Sequence, residues 1–138
     1  MQLPVLILST LLTTALAAVP PYPRQSSGWT IRKFTRDCTN PNTCIYNFNI
    51  DTNDGSTPAP CTIVNTGNPA TTQAWYGVAC QQPNDWQISW GWDYQGDFTV
   101  MTTLNTASKL EAFFGYKSPN ANSNATYSDN GPQAPQLV

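Results

Sequence analysis

Three carboxylates are the side chains of this chain best suited by type to do chemistry. Asp93 and Asp97 flank a short reversal, and Glu111 follows in the next apolar run. Two carboxylates can hydrolyse a glycosidic bond when they are held at the right separation. Asp at the ends of a reversal is also ordinary turn chemistry, since its side chain accepts nearby backbone N–H groups. The structural role is the expectation here. Other catalytic options are few. The chain has no histidine, which removes Ser–His and Cys–His nucleophile pairs and the commonest general base. There is no glycine-rich phosphate loop. The residues therefore predict a protein that is not an enzyme and holds no cofactor.

Cysteines and tryptophans are the other informative types. Cys38, Cys44, Cys61 and Cys80 lack the spacing of a zinc site and have no histidine to share one, so no metal is expected. Four cysteines allow three pairings, and the sequence alone does not choose among them. Sequential pairing, Cys38 with Cys44 and Cys61 with Cys80, is the expectation. Exposed Trp and Tyr rings could stack on sugar rings, and Trp75, Trp92 and Tyr94 are the candidate ligand-face aromatics. Trp86 and Trp90 share a strand face with Ile88 and are expected in the core.

The elements that must position these residues are short runs of period two. Trp29–Phe34 begins them. In Cys44–Ile50, Tyr46, Phe48 and Ile50 share one face while Asn47 and Asn49 share the other, which marks a strand with one dry side. Cys61–Val64, Gln73–Cys80 and Trp86–Trp92 follow. Asp97–Leu104 returns after the turn Asp93–Gly96, with Phe98, Val100 and Leu104 on one side, and Leu110–Tyr116 is the last run. About seven short strands with turn-rich links predict an all-β fold, a single antiparallel β-barrel or sandwich with two disulfides. Arg32, Lys33 and Arg36 form a small basic cluster. It reads as a solvated strand edge, too little for nucleic acid.

The flanks differ from this domain. Leu3–Ala18 is an apolar run ending in Ala15-Leu16-Ala17, the pattern of a secretory signal peptide over residues 1–17. Residues 18–28 read as a Pro-rich leader, 29–117 as the β domain, and 118–138 as a flexible tail rich in Asn, Ser, Pro and Gln. Asn124-Ala125-Thr126 is a glycosylation sequon, which places a glycan on Asn124 in an exported chain. Export implies an oxidising compartment, where cysteines pair. No later segment is apolar enough to anchor the chain, so a secreted, extracellular protein without membrane contact is expected.

The series Trp29-x-Ile31-x-x-Phe34, Tyr46-x-Phe48-x-Ile50, Cys61, Trp75-Tyr76-x-x-x-Cys80 and Ile88-Ser89-Trp90 resembles the fungal secreted β-barrels typified by the major allergen of Alternaria. Within that family it is similar to the short elicitors of the hypersensitive response. The resemblance runs from about Trp29 to Tyr116 and rests on dispersed aromatic and Cys positions. It implies an extracellular β-barrel without established catalysis, recognised by plants as an elicitor of defence. It also implies a Cys61–Cys80 disulfide. No cysteine precedes Trp29, so it does not imply a disulfide-linked dimer; a monomer or non-covalent dimer is expected. The expected function is that of a secreted effector meeting a host protein or receptor through the loops Thr39–Thr43, Asp51–Pro60 and Asn65–Thr72. The alternative is a cell-wall polysaccharide-binding module with an exposed aromatic face.

Overall fold

A computed structural model describes residues 27–138. The expected signal peptide, and the leader up to Ser26, lie outside the described residues. Ten strands follow in order: β1 (Trp29–Asn40), β2 (Thr43–Asp51), β3 (Ala59–Thr66), β4 (Trp75–Ala79), β5 (Trp86–Asp93), β6 (Phe98–Asn105), β7 (Leu110–Lys117), β8 (Asn124–Thr126), β9 (Asn130–Gln133) and β10 (Gln136–Leu137). They make two antiparallel sheets. One is ordered β3-β2-β1-β8, with β9 also paired to β1; the other is β10-β7-β6-β5-β4. The sheets pack face to face and do not close into a barrel, so the fold is a sandwich.

Alternation explains most of the core. Tyr46, Phe48 and Ile50 on β2, Trp86, Ile88 and Trp90 on β5, and Ala112, Phe114 and Tyr116 on β7 all point inward and are buried. Their centre is aromatic. Phe34 meets Trp90 edge-on at 6.0 Å and Tyr116 at 5.0 Å between ring centroids, and Trp29 meets Trp86 at 5.0 Å. Such edge contacts add to the large area each ring removes from water.

β6 departs from the apolar pattern. Phe98, Val100 and Leu104 do share a face, but it is the outer one. Thr99, Met101 and Thr103 are the buried residues. Pairing decides this: Met101 lies opposite both Trp90 and Phe114, and Thr103 opposite both Ile88 and Ala112. Inward neighbours on two flanking strands force the phase of the strand between them.

β1 contains the decisive irregularity. Trp29 and Ile31 face inward, then the register with β2 slips between Arg32 and Thr35, where Lys33 has φ 55°. After this bulge Phe34, Arg36 and Cys38 face inward. Arg36 is therefore not on a solvated edge, as its place in a basic cluster implied; it is 1% exposed. Arg32 and Lys33 stay outside.

The expectation of a flexible tail over residues 118–138 is corrected. β8 and β9 add to the free edge of β1, with Thr35 opposite Thr126 and Trp29 opposite Gln133. β10 then pairs with β7, Leu137 opposite Leu110. The tail is polar because an edge strand needs few apolar residues when its backbone is paired. Tyr127 is its apolar anchor, stacked on Phe34 with centroids 4.6 Å apart. Tyr127→Ala should lower stability by about 2–3 kcal/mol in a urea melt. Tyr127→Phe should stay within about 0.5 kcal/mol, because the buried hydroxyl has no hydrogen-bond partner to lose. Equal losses in the two variants would contradict a packing role.

Both disulfides pair sequentially, Cys38–Cys44 and Cys61–Cys80. The first clips the β1–β2 turn. The second joins the edge strand of one sheet, β3, to the residue following the edge strand of the other, β4. The sandwich is thus closed covalently along one side and by the crossing of β8–β10 along the other.

Candidate functional site

Strand direction places the loops. β1 and β2 meet at the turn Asn40–Thr43, and β3 returns to the same end before the link to β4. Gly67 donates its N–H to the carbonyl of Asn42 at 3.0 Å, and Ala70 to that of Pro41 at 2.8 Å. Thr39–Thr43 and Asn65–Thr72 therefore form one surface. Asp51–Pro60, the third loop expected to carry recognition, lies at the opposite pole: Asn53 donates to the Gly28 carbonyl at 2.9 Å, and Asp51 pairs with Arg32 at 2.7 Å.

Two further segments complete the loop end. The β5–β6 turn joins through Tyr94, whose hydroxyl donates to the Thr72 carbonyl at 2.9 Å. Residues 118–123 join through Asn120, whose amide donates to the Thr71 carbonyl at 2.9 Å. Beneath them sits Arg36. Its Nη1 donates to the Pro119 carbonyl at 3.1 Å and to Asn120 Oδ1 at 2.8 Å. Its Nη2 donates to the Thr71 carbonyl at 2.9 Å and contacts Cys44 Sγ at 3.8 Å, and Nε donates to the Tyr46 hydroxyl at 3.2 Å. The guanidinium also lies against the rings of Tyr46 and Trp90. One buried fork thus holds the link after β3 and the segment after β7 in fixed positions. The sequence carried a signal for this residue: Phe34, Arg36 and Cys38 alternate, and Phe34 and Cys38 are both core types.

The candidate aromatics separate. Trp75 is buried, because β4 pairs it opposite Trp90 on the inner face and its ring packs on Tyr46 at 5.0 Å. It cannot serve as a ligand-face ring. Trp92 is half-buried where the sandwich opens, and its Nε1–H donates to the Gln73 carbonyl at 3.2 Å. Tyr94 is 63% exposed and stacks on Trp92, with centroids 5.5 Å apart and planes 4° from parallel. Tyr76, the neighbour of Trp75, is exposed on the outer sheet face.

Of the two carboxylates flanking the β5–β6 turn, that of Asp93 does structural work, while Asp97 contributes through its backbone. Asp93 Oδ1 accepts the N–H groups of Gln95 and Gly96 at 3.2 Å each. The carbonyl of Asp97, which has φ 48°, accepts the Ser118 N–H at 2.8 Å. Four other carboxyls are held below the usual range. The Ser56 hydroxyl and N–H hold Asp54 down to about 2. The Thr39 hydroxyl lowers Asp37, the Arg32 guanidinium lowers Asp51, and the Lys33 N–H lowers Asp129.

Depressed folded values stabilise the fold fully above the unfolded Asp value of about 3.9, and that stability is lost as pH falls through the folded values. With no histidine, no unperturbed side chain titrates between about pH 5 and 8. The thermal midpoint should be flat across that window and fall from about pH 4 towards 2. Calorimetry across the range checks this; a decline within the flat window would contradict it.

The Effector TSP1 family model matches residues 30–136. No curated protein matches the chain. The family match starts in β1 and ends in β10, so it takes in both sheets, both disulfides and the tail strands that close the sandwich. With nearly the whole described fold inside that span, the chain belongs to the Effector TSP1 family.

Proposed function

We propose that the protein is a secreted fungal effector that acts without catalysis, by presenting its loop end to a host protein or receptor of plant defence. The observation that carries this reading is the family match across the sandwich, together with a loop surface of four segments, two of which, the link after β3 and the segment after β7, are fixed from beneath by Arg36. Rigid strand ends holding variable loops are the usual arrangement for recognition. The disulfides suit an oxidising, extracellular setting. Purified protein infiltrated into leaves should provoke cell death or an oxidative burst. Absence of any response across several hosts would overturn the elicitor reading. Asn124 is exposed, and we place a glycan there; an unmodified intact mass from the native source would remove it.

A second reading rests on the stacked Trp92 and Tyr94 rings. Their exposed edge is suited to a sugar ring of a cell-wall polysaccharide. Retention on insoluble chitin, glucan or cellulose, lost in Tyr94→Ala, would support it. No retention on any of them would leave the pair as a strut for the loop end.

A further inference from the structure

Arg36 is a buried cation without an anion. All its hydrogen-bond partners are carbonyls, an amide, a hydroxyl and a sulfur. Both ion pairs among the described residues belong to Arg32, and residues 1–26 contain no Asp or Glu. The sulfur is Cys44 Sγ, half of a disulfide and itself fully buried. The other half, Cys38, lines an open cavity of about 330 Å³ with Thr39, Pro41, Thr71, Asn120 and Ser123; Cys44 does not.

We propose that Cys38–Cys44 is a thiol-exchange site for low-molecular-weight thiols, entered through this cavity at Cys38, with Cys44 as the leaving sulfur beside Arg36. An incoming thiolate forms a bond to Cys38 Sγ. The Cys38–Cys44 bond breaks, and its electron pair leaves with Cys44 as a thiolate. One negative charge passes from the incoming sulfur to Cys44, and no further oxidant or reductant is consumed. Exchange is faster when the leaving thiolate is better stabilised. A neighbouring guanidinium provides that stabilisation, and here no carboxylate competes for it.

The second disulfide is an internal control. Cys61 and Cys80 are about as buried as Cys38, and Cys61 also lines a groove. The cation on that groove is Lys33, whose ammonium is solvent-exposed and screened by salt. Opening Cys38–Cys44 would release the turn that hydrogen-bonds to the β3–β4 link. The chemistry itself needs no host partner.

The test is to incubate the folded protein with reduced glutathione at neutral pH, quench with acid, alkylate and map the adducts by mass. The expected result is glutathione on Cys38, forming about ten-fold faster than any adduct on Cys61 or Cys80. Arg36→Lys should keep the preference and Arg36→Gln should lose it. Adducts on Cys44, equal rates at the two disulfides, or an unchanged preference in folded Arg36→Gln would each overturn the proposal. If circular dichroism shows that neither variant folds, the site and rate ratio in the unaltered protein decide the matter.

Discussion

Arg36→Ala is expected to lower the stability of the folded protein by about 3–5 kcal/mol. The cost has separate sources. The Thr71 and Pro119 carbonyls, the Asn120 side chain and the Tyr46 hydroxyl lose a donor together. Each buried group left unpaired costs about 1–3 kcal/mol, less where water can reach it. A void also opens beside Tyr46 and Trp90. Against this stands the desolvation of the guanidinium, which the substitution relieves. Arg36→Met therefore separates the contributions: it fills much of the space and removes the buried charge, yet takes the same donors away, leaving the Thr71 carbonyl only its bond from Asn120. It should cost about 2–3 kcal/mol. A urea titration of both variants checks the pair. If Arg36→Met were as stable as the unaltered protein, the charge would be the dominant burden and the hydrogen bonds a minor gain. Arg36→Lys is not conservative here. An ammonium has three donors from one point and cannot span acceptors on both sides of a planar fork.

Trp90→Ala should be the most damaging single truncation of the core, at about 4–5 kcal/mol or outright failure to fold. Trp90 is fully buried and sits among Phe34, Tyr46 and Tyr116, at centroid distances of 6.0, 5.2 and 5.9 Å. These rings come from β1, β2 and β7, so the cavity would separate the two sheets at their centre. Trp90→Phe should cost only about 1–2 kcal/mol. The Trp90 Nε1–H has no hydrogen-bond partner, so the smaller ring removes an unsatisfied donor while keeping most of the contact. Chemical denaturation of the two variants, each against the parent, gives the comparison. Similar losses for Ala and Phe would mean that the indole's extra volume, and not the aromatic packing as such, carries the effect.

Period two made much of this fold legible. Tyr46-x-Phe48-x-Ile50 and Trp86-x-Ile88-x-Trp90 reveal their buried faces because their alternation is unbroken and their residue types are extreme. The seven expected strands are all present, and the disulfides pair in sequence order. What was hidden depends on partners far away in the chain. Thr99 and Thr103 are buried because their neighbours on β5 and β7 are, which a single strand cannot reveal. Arg36 was obscured by the bulge at Lys33, which breaks the alternation begun at Trp29 and Ile31. The tail looked unstructured because its order comes from backbone pairing to β1, and backbone groups leave no trace in composition. The loop end was half legible. Asn and Pro mark Thr39–Thr43 and Asn65–Thr72 as loops, but only strand direction shows that they meet and that Asp51–Pro60 is elsewhere.

The side of the sandwich closed by β8–β10 has a consequence for how the chain reaches its native state. β2 covers one edge of β1 as soon as the first hairpin forms. The other edge pairs with residues as distant as Gln133. Contacts of such high sequence separation form slowly, because the loop they close must be ordered first. During synthesis β1 therefore emerges long before the strands that cover it, and a nascent chain carries a bare, extended edge able to recruit another strand. The polar character of β8 and β9 then acquires a kinetic meaning. A closing segment without strong apolar or β-branched runs is a poor template for premature or intermolecular pairing. It can wait, solvated, until the aromatic centre has assembled and Phe34 offers Tyr127 a place to dock.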